Sequence, residues 1–157
     1  MNKEKNFKRG NRRVEEKREF EQKLVDLARV TRVTRGGKRL SFRACVVIGD
    51  EKTKVGYGVS KGADVQIAIN KAVTQAKKSL IKPKIVEGTL PHEMKIKYKA
   101  ARIMLRPGKA GRGIIAGGVV RTMLEMAGYK DAVAKIYGSK NKINNVKAVY
   151  EALTRLK

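Results

Sequence analysis

The order of apolar and polar positions predicts three strands and a helix in the first half of the chain. β-Branched and aliphatic residues dominate positions 23–33, which favours a strand. Glycines at 36–37 predict a turn, and strict alternation over 40–48 and again over 55–59 predicts two further strands. The glycines within the third strand indicate close approach of another backbone. Between 65 and 80 the apolar spacing becomes helical.

The second half predicts a unit of β-α-β-α type. Its elements are a short strand at 85–90, a basic-faced strand from Met94 that stays extended to Leu105, a helix at 114–127, a strand at 132–137 and a last helix capped by Ser139 or Asn141. The fold class is therefore α+β with two small domains, β-β-β-α at 21–84 and β-α-β-α at 85–157. Residues 1–20 mix charges without apolar periodicity and are expected to form a flexible basic arm.

Charge narrows the class of partner. The chain has 157 residues and a formal net charge of +24, from 38 Lys plus Arg against 14 Asp plus Glu. A polyanionic binding partner explains this excess of like charge. Each Lys or Arg placed on a phosphate releases counterions that had condensed on the polyanion, which favours binding. Nucleic acid is favoured over an anionic membrane surface, and no apolar run is long enough to span a bilayer. The single cysteine, Cys45, fits a reducing cytoplasm.

Two long tracts, at 27–49 and 94–124, contain basic residues but no Asp or Glu. A merely solvated face normally interleaves both signs, so long tracts of one sign favour phosphate contacts. The first tract surrounds the predicted hairpin turn, where arginine's planar fork suits phosphate. The second follows a strand that carries Lys95, Lys97 and Lys99 on one face.

The glycine-rich stretch at 106–120, RPGKAGRGIIAGGVV, raises the possibility of a nucleotide site. It lacks the Lys-Ser/Thr pair of a phosphate-binding loop and the third glycine of a dinucleotide fingerprint. We therefore expect Gly117 and Gly118 to let the helix pack closely on its sheet. Arg106, Lys109 and Arg112 are expected to face an external partner.

Catalytic and metal-binding residues are sparse. His92 and Cys45 are the single representatives of their types, which leaves too few ligands for a zinc site. A Cys45–His92 nucleophilic pair is an alternative, but a cysteine in mid-strand is more typical of an apolar filler. The sequence thus predicts no enzyme, no cofactor, no metal and no small-molecule substrate.

Five ordered motifs carry a resemblance to a known family. They are RVTRVTRGGKRLSFRA (29–44), VVIGDEKTKVGYG (46–58), GTLPHE (88–93), GIIAGG (113–118) and KIYGSKNKINNV (135–146). In this order and spacing they resemble bacterial-type small-subunit ribosomal protein number five. The resemblance implies an N-terminal half similar to a double-stranded RNA-binding fold that lacks that fold's first helix.

The resemblance also implies a function and partners. A member of this family binds small-subunit ribosomal RNA, supports assembly and contributes to translational accuracy near the decoding region and the site where mRNA enters. Expected neighbours are ribosomal proteins number four and number eight. Expected RNA-binding residues are Arg29, Thr31, Arg32, Thr34, Arg35, Gly36, Gly37, Lys38, Arg39, Arg43, Lys61, Lys95, Lys97 and Lys99. Expected protein contacts are Arg106, Gly108, Lys109, Arg112 and Gly113.

Three other classes stay open on residue patterns alone. A free regulator that binds double-stranded RNA would share the first unit but would not need the second unit's glycine motif. A DNA-compacting protein would share the charge but would lack a recognition-helix signature. An NTP-dependent enzyme would require saturable nucleotide binding.

Overall fold

A computed structural model describes residues 20–156 of the chain as two sheets covered by helices. The predicted basic arm, residues 1–20, lies almost wholly outside these residues. The described elements, in chain order, are β1 (Glu21–Thr34), β2 (Gly37–Gly49), β3 (Val55–Gly62), α1 (Val65–Lys78), β4 (Met94–Tyr98), β5 (Ala101–Pro107), β6 (Ile114–Ile115), α2 (Gly118–Ala127), β7 (Ala132–Gly138) and α3 (Lys142–Arg155). The predicted α+β class is confirmed.

The first unit is the predicted β-β-β-α arrangement. Strands β1, β2 and β3 form an antiparallel sheet in that order, and β1 joins β2 through a tight turn at Arg35–Gly36. The register of the hairpin places Arg32 opposite Arg39 and Thr34 opposite Gly37. Gly37 has a φ of +142°, which glycine adopts without the steric cost of a Cβ.

Helix α1 lies directly against the backbone of β3, as the strand's glycines predicted. Ala68, Ala72 and Ala76 are fully buried on the helix side. A Cβ at Gly58 would overlap the carbonyl oxygen of Ala72, and one at Gly56 would come within 2.5 Å of the carbonyl oxygen of Ala76. Small residues on both elements therefore allow a close contact that larger side chains would prevent.

The second unit contains the predicted helices and the predicted strand at 132–137, together with strands that the pattern did not reveal. Its sheet has the order β4-β5-β7-β6, and β6 runs parallel to β7. The extended segment predicted to continue from Met94 to Leu105 instead folds back on itself as the β4–β5 hairpin, through Lys99 at φ +51°. The strand predicted at 85–90 was wrong, because only the isolated bridges Val86–Thr89 and Thr89–Asp131 form there.

The two units share a buried core. Cys45 and Val47, on the face of the first sheet opposite α1, belong to the same apolar cluster as the helices of the second unit. At the end of β2, a Cβ at Gly49 would overlap the backbone of Met126, and the Glu51 amide donates to the Met126 carbonyl at 3.2 Å. Residues 79–93 connect the units with only isolated bridge pairs. The predicted boundary between 84 and 85 stays a prediction.

Candidate nucleic-acid interface

The hairpin of β1 and β2 extends well beyond the rest of its sheet. The pairing of β3 with β2 ends at Phe42–Gly62, so the five β2 residues 37–41 pair only with residues 30–34 of β1. At roughly 3.3 Å per residue, this two-stranded ribbon reaches about 17 Å from the sheet. Every residue from 31 to 40 is exposed, and this segment, here called the hairpin tip, contains no acidic residue.

The strand register divides the hairpin into two faces, because directly opposed residues and residues two apart point to the same side. One face carries Arg32 and Arg39 as an opposed pair and continues towards Cys45 at the base. The other carries Arg29, the opposed pair Val33 and Lys38, and Leu40 with Thr31. Val33 is 72% exposed and Leu40 55%. The predicted RNA-binding residues of the hairpin thus point to both sides of the ribbon.

The cations of the hairpin tip have no ion-pair partner among residues 20–156. No carboxylate of this part of the chain lies within salt-bridge distance of the tip cations Arg32, Arg35, Lys38 and Arg39, or of Arg29 just before the tip. Like charges directly opposed across a ladder are unfavourable in a free protein. The Arg32–Arg39 pair is therefore an arrangement that an anionic partner would stabilise.

Arg43 differs from the other predicted hairpin residues. Its guanidinium lies 3.6 Å from the carboxylate of Asp26, and its Nε is buried without a hydrogen-bond partner. Asp26 also pairs with Lys142 of α3 at 3.3 Å, which links the first unit to the second. Lys61 is exposed and opposes Arg43 across the β2–β3 ladder. Arg43 is thus paired with a carboxylate of the same chain, whereas Lys61 is open to a partner.

A second basic surface covers the outer side of the C-terminal sheet. Lys95 and Lys97 lie there as predicted, beside Arg106, which was expected to contact a protein, and beside three residues that sequence reasoning did not select. We call this surface the basic sheet face; its residues are Lys95, Lys97, Arg102, Arg106, Lys135 and Tyr137. Much of it lines an open cavity of about 660 Å³. Alternation of Arg102, Met104 and Arg106 with buried Ile103 and Leu105 is the signal that would have revealed it.

Lys99 does not belong to the basic sheet face. The strand ends at Tyr98, and Lys99 occupies the turn, where its Nζ lies 5.9 Å from the Tyr98 ring. Two members of the face are partly neutralised, since Glu93 pairs with Arg106 at 2.8 Å and with Lys95 at 3.7 Å. Within the described chain, no carboxylate pairs with Lys97, Arg102 or Lys135.

The glycine-rich loop is held by the protein's own carboxylate. The Gly113 amide donates to Asp131 Oδ1 at 2.6 Å, where a phosphate-binding loop would present its amide to a ligand. The Gly108 amide donates to Thr89 Oγ1 at 3.0 Å. The loop then leads into β6 rather than directly into a helix. These contacts favour a structural loop over a nucleotide site; Lys109 and Arg112 are left exposed on it.

The expected close packing of Gly117 and Gly118 was wrong. Helix α2 begins at Gly118, so Gly117 is its N-cap and neither glycine lies in the helix interior. A Cβ at Gly118 would meet nothing within 4 Å, and one at Gly117 would meet only the flexible end of Ile136. The apolar pattern overestimated the helix because Ile114 and Ile115 form β6 instead.

The residues considered for catalysis do not form a site. Cys45 is 1% exposed, and burial is the main cause that raises the pKa of its thiol to about 11, which leaves it protonated and unreactive. His92 is exposed at the start of the second unit. Across residues 20–156, His, Cys, Asp and Glu nowhere gather in a group of three that could hold a metal. None of the described helices is long and apolar enough to cross a membrane.

Comparison with known proteins identifies the family. Residues 20–82 match the model for the N-terminal domain of ribosomal protein S5, and residues 96–157 match the model for its C-terminal domain. The chain belongs to the ribosomal protein S5 family. Because the S5 family consists of ribosomal proteins, the prediction that the chain is not an enzyme is confirmed.

Relatives from distant organisms support this membership. The chain is 50% identical over 153 residues to small ribosomal subunit protein uS5 of Mycoplasma mobile, covering 97% of this chain and 63% of the relative. It is 48% identical to the protein of the same name from Hydrogenobaculum, covering 88% and 74%. Protein uS5c of Rhodomonas salina is 44% identical, covering 97% and 91%. The chain thus spans just under two thirds of the first relative and nearly all of the third.

Proposed function

We propose that this chain is a structural component of the small ribosomal subunit and that it binds ribosomal RNA chiefly through the hairpin tip. The observation that carries the proposal is the set of unpaired cations on a fully exposed ribbon, Arg32 and Arg39 on one face and Arg35 at the turn. A ribbon that reaches about 17 Å from its sheet can enter a groove or junction of folded RNA. Exposed Thr31 offers a hydroxyl donor beside these charges, and exposed Gly36 and Gly37 let RNA approach the backbone closely. The Thr34 hydroxyl donates to the Gly37 carbonyl at 3.1 Å and can accept a hydrogen bond from RNA.

The proposal extends to assembly, accuracy and neighbouring proteins. A scaffold that holds RNA segments in place would support assembly in the cytoplasm and decoding where mRNA enters. The loop that carries Lys109 and Arg112 is the proposed contact for ribosomal proteins number four and number eight. Hydrogen bonds of the Gly108 and Gly113 amides fix the backbone at both ends of this loop. Arg106 is paired with Glu93 and has less charge to offer.

The test is incorporation of a charge-reversed hairpin variant. In the double variant Arg32→Glu/Arg35→Glu, both positions are exposed and unpaired, so we expect normal folding but loss from assembled small subunits. The matched control is Lys82→Glu/Lys84→Glu, which makes the same charge change at exposed connector positions. Tagged variants are followed by gradient sedimentation of cell lysates. Normal incorporation of the hairpin variant would refute the assignment of the hairpin tip.

A further inference from the structure

The basic sheet face combines unpaired cations with an exposed aromatic ring. Ladder register places Lys97, Arg102 and Tyr137 side by side in one row across β4, β5 and β7. The next row contains Lys95, Met104 and Lys135. Neighbouring strands are about 4.8 Å apart and successive rows about 6.6 Å apart, so the ring lies within reach of several cations.

We propose that the basic sheet face binds single-stranded RNA, with one unpaired base stacked on Tyr137 and the adjoining phosphates on Arg102 and Lys135. This inference deepens the proposed ribosomal RNA binding and rests on it. It assigns a second RNA site on the other unit of the protein.

Tyr137 is the residue that selects unpaired RNA. Its side chain is 48% exposed on a sheet face whose remaining long side chains are mostly charged. An aromatic ring can stack on a base only when that base has left its helix. The guanidinium of neighbouring Arg102 can bind a phosphate bidentately or stack on the base itself.

The shape and charge of the surface favour RNA over a protein partner. The cavity of about 660 Å³ is lined by Lys95, Lys97, Arg102, Arg106 and Tyr137 among others. This volume is in the range of about 300–1,000 Å³ that is usual for ligand sites, which suits a nucleotide. Glu93 is the single carboxylate that pairs with cations of this face among the described residues. Cores of protein interfaces are instead depleted of lysine.

The experiment compares two RNA probes with the full-length chain. Fluorescence anisotropy measures binding to an oligouridine of about ten nucleotides and to a duplex of the same length. Tyr137→Ala changes no charge, so it separates stacking from the non-specific attraction of a strongly basic protein. We expect Tyr137→Ala to weaken oligouridine binding by at least about fivefold. Tyr137→Phe keeps the ring and should bind as the unaltered chain does, and duplex affinity should be the same for both Tyr137 variants.

A matched control and a second variant complete the test. Ile67→Ala truncates another exposed apolar side chain, 45% exposed on α1, and should leave both affinities unchanged. Arg102→Gln should weaken oligouridine binding and lower the salt slope by about one. If circular dichroism shows that Tyr137→Ala does not fold, Arg102→Gln is used to test the site instead. Unchanged oligouridine binding by folded Tyr137→Ala, the result expected if the face binds protein instead, would overturn the proposal.

The assignments of the two RNA sites can be refuted independently of each other. Loss of oligouridine binding in Tyr137→Ala, together with normal incorporation of the hairpin double variant, would keep this site and remove the hairpin assignment. Loss of incorporation in the hairpin variant, with unaltered oligouridine binding in Tyr137→Ala, would leave the proposed function standing and remove this site.

Discussion

Neutralising the three arginines of the hairpin tip gives a quantitative test of phosphate binding. The triple variant Arg32→Gln/Arg35→Gln/Arg39→Gln removes charge but keeps polar side chains on an exposed ribbon. Because Arg32 and Arg39 are directly opposed like charges, their removal relieves repulsion in the free protein. The thermal midpoint should therefore stay the same or rise. Any loss of RNA affinity then reports on contacts rather than on unfolding.

The expected magnitude follows from counterion release. Each phosphate neutralised by a cation contributes about 0.7–0.9 to the slope of log Kobs against log salt concentration. Three lost contacts should therefore lower the magnitude of that slope by about 2 to 3. At about 0.1 M salt this corresponds to an affinity loss on the order of a hundredfold, which shrinks as the salt concentration approaches about 1 M.

The assay is a salt titration on a structured fragment of small-subunit ribosomal RNA, read by filter binding or anisotropy. The control is Lys77→Gln/Lys82→Gln/Lys84→Gln, which removes the same charge from exposed positions outside the hairpin. It should lower the slope by less than the hairpin variant does. Equal slopes for the two triple variants would show that net charge, and not the hairpin tip, governs binding, and would refute the reasoning.

Three further predictions concern stability and reactivity. Gly58→Ala should destabilise the chain by about 1–3 kcal/mol in urea unfolding, because its Cβ would overlap the α1 backbone. The control Gly118→Ala has open space around its Cβ and should not destabilise the chain. Equal urea midpoints for the two variants would contradict the close packing of α1 on β3. Burial raises the pKa of Asp50, but backbone amides of residues 52–54 outweigh this and lower it to about 2. Its ionised form therefore stabilises the fold above about pH 4, and this stability is lost as the pH falls towards 2. Asp50→Asn should lack that part of the acid transition. If the variant and the unaltered chain lost stability identically as the pH falls, the role of the Asp50 carboxylate would be refuted. Cys45 should react with a thiol reagent only as fast as the core opens, and fast labelling of the folded chain would disprove its burial.

Alternation and turn chemistry were sufficient to predict the hairpin. Apolar residues recur at every second position over 42–48 because that face of β2 packs on α1, and Gly37 supplies the backbone conformation that follows the turn. The β4–β5 turn could not be found in this way. It is made by Lys99 at φ +51° followed by Ala100, and neither residue is a turn signal. A helix was predicted from Ile114 because a two-residue strand such as β6 is too short to show a period of its own.

Charge composition predicted which segments bear cations but not which cations are free. Asp26 lies outside the acid-free tract, yet the β1–β2 register brings it next to Arg43. Likewise, Asp131 meets the Gly113 amide through the pairing of β6 with β7, a contact between residues far apart in sequence. Tyr137 emerged only from its cross-strand neighbours, since one tyrosine in a strand is ordinarily a core residue. Such long-range pairings depend on the tertiary structure, so local sequence patterns cannot predict them.

Sedimentation of the chain from cell lysate tests the central claim most directly. The protein is followed across a sucrose gradient at moderate and at high salt. A component that binds folded ribosomal RNA through many phosphate contacts should migrate with small subunits at moderate salt and dissociate as salt rises. Migration at the top of the gradient at moderate salt, with none in the small-subunit fraction, would contradict the proposed function.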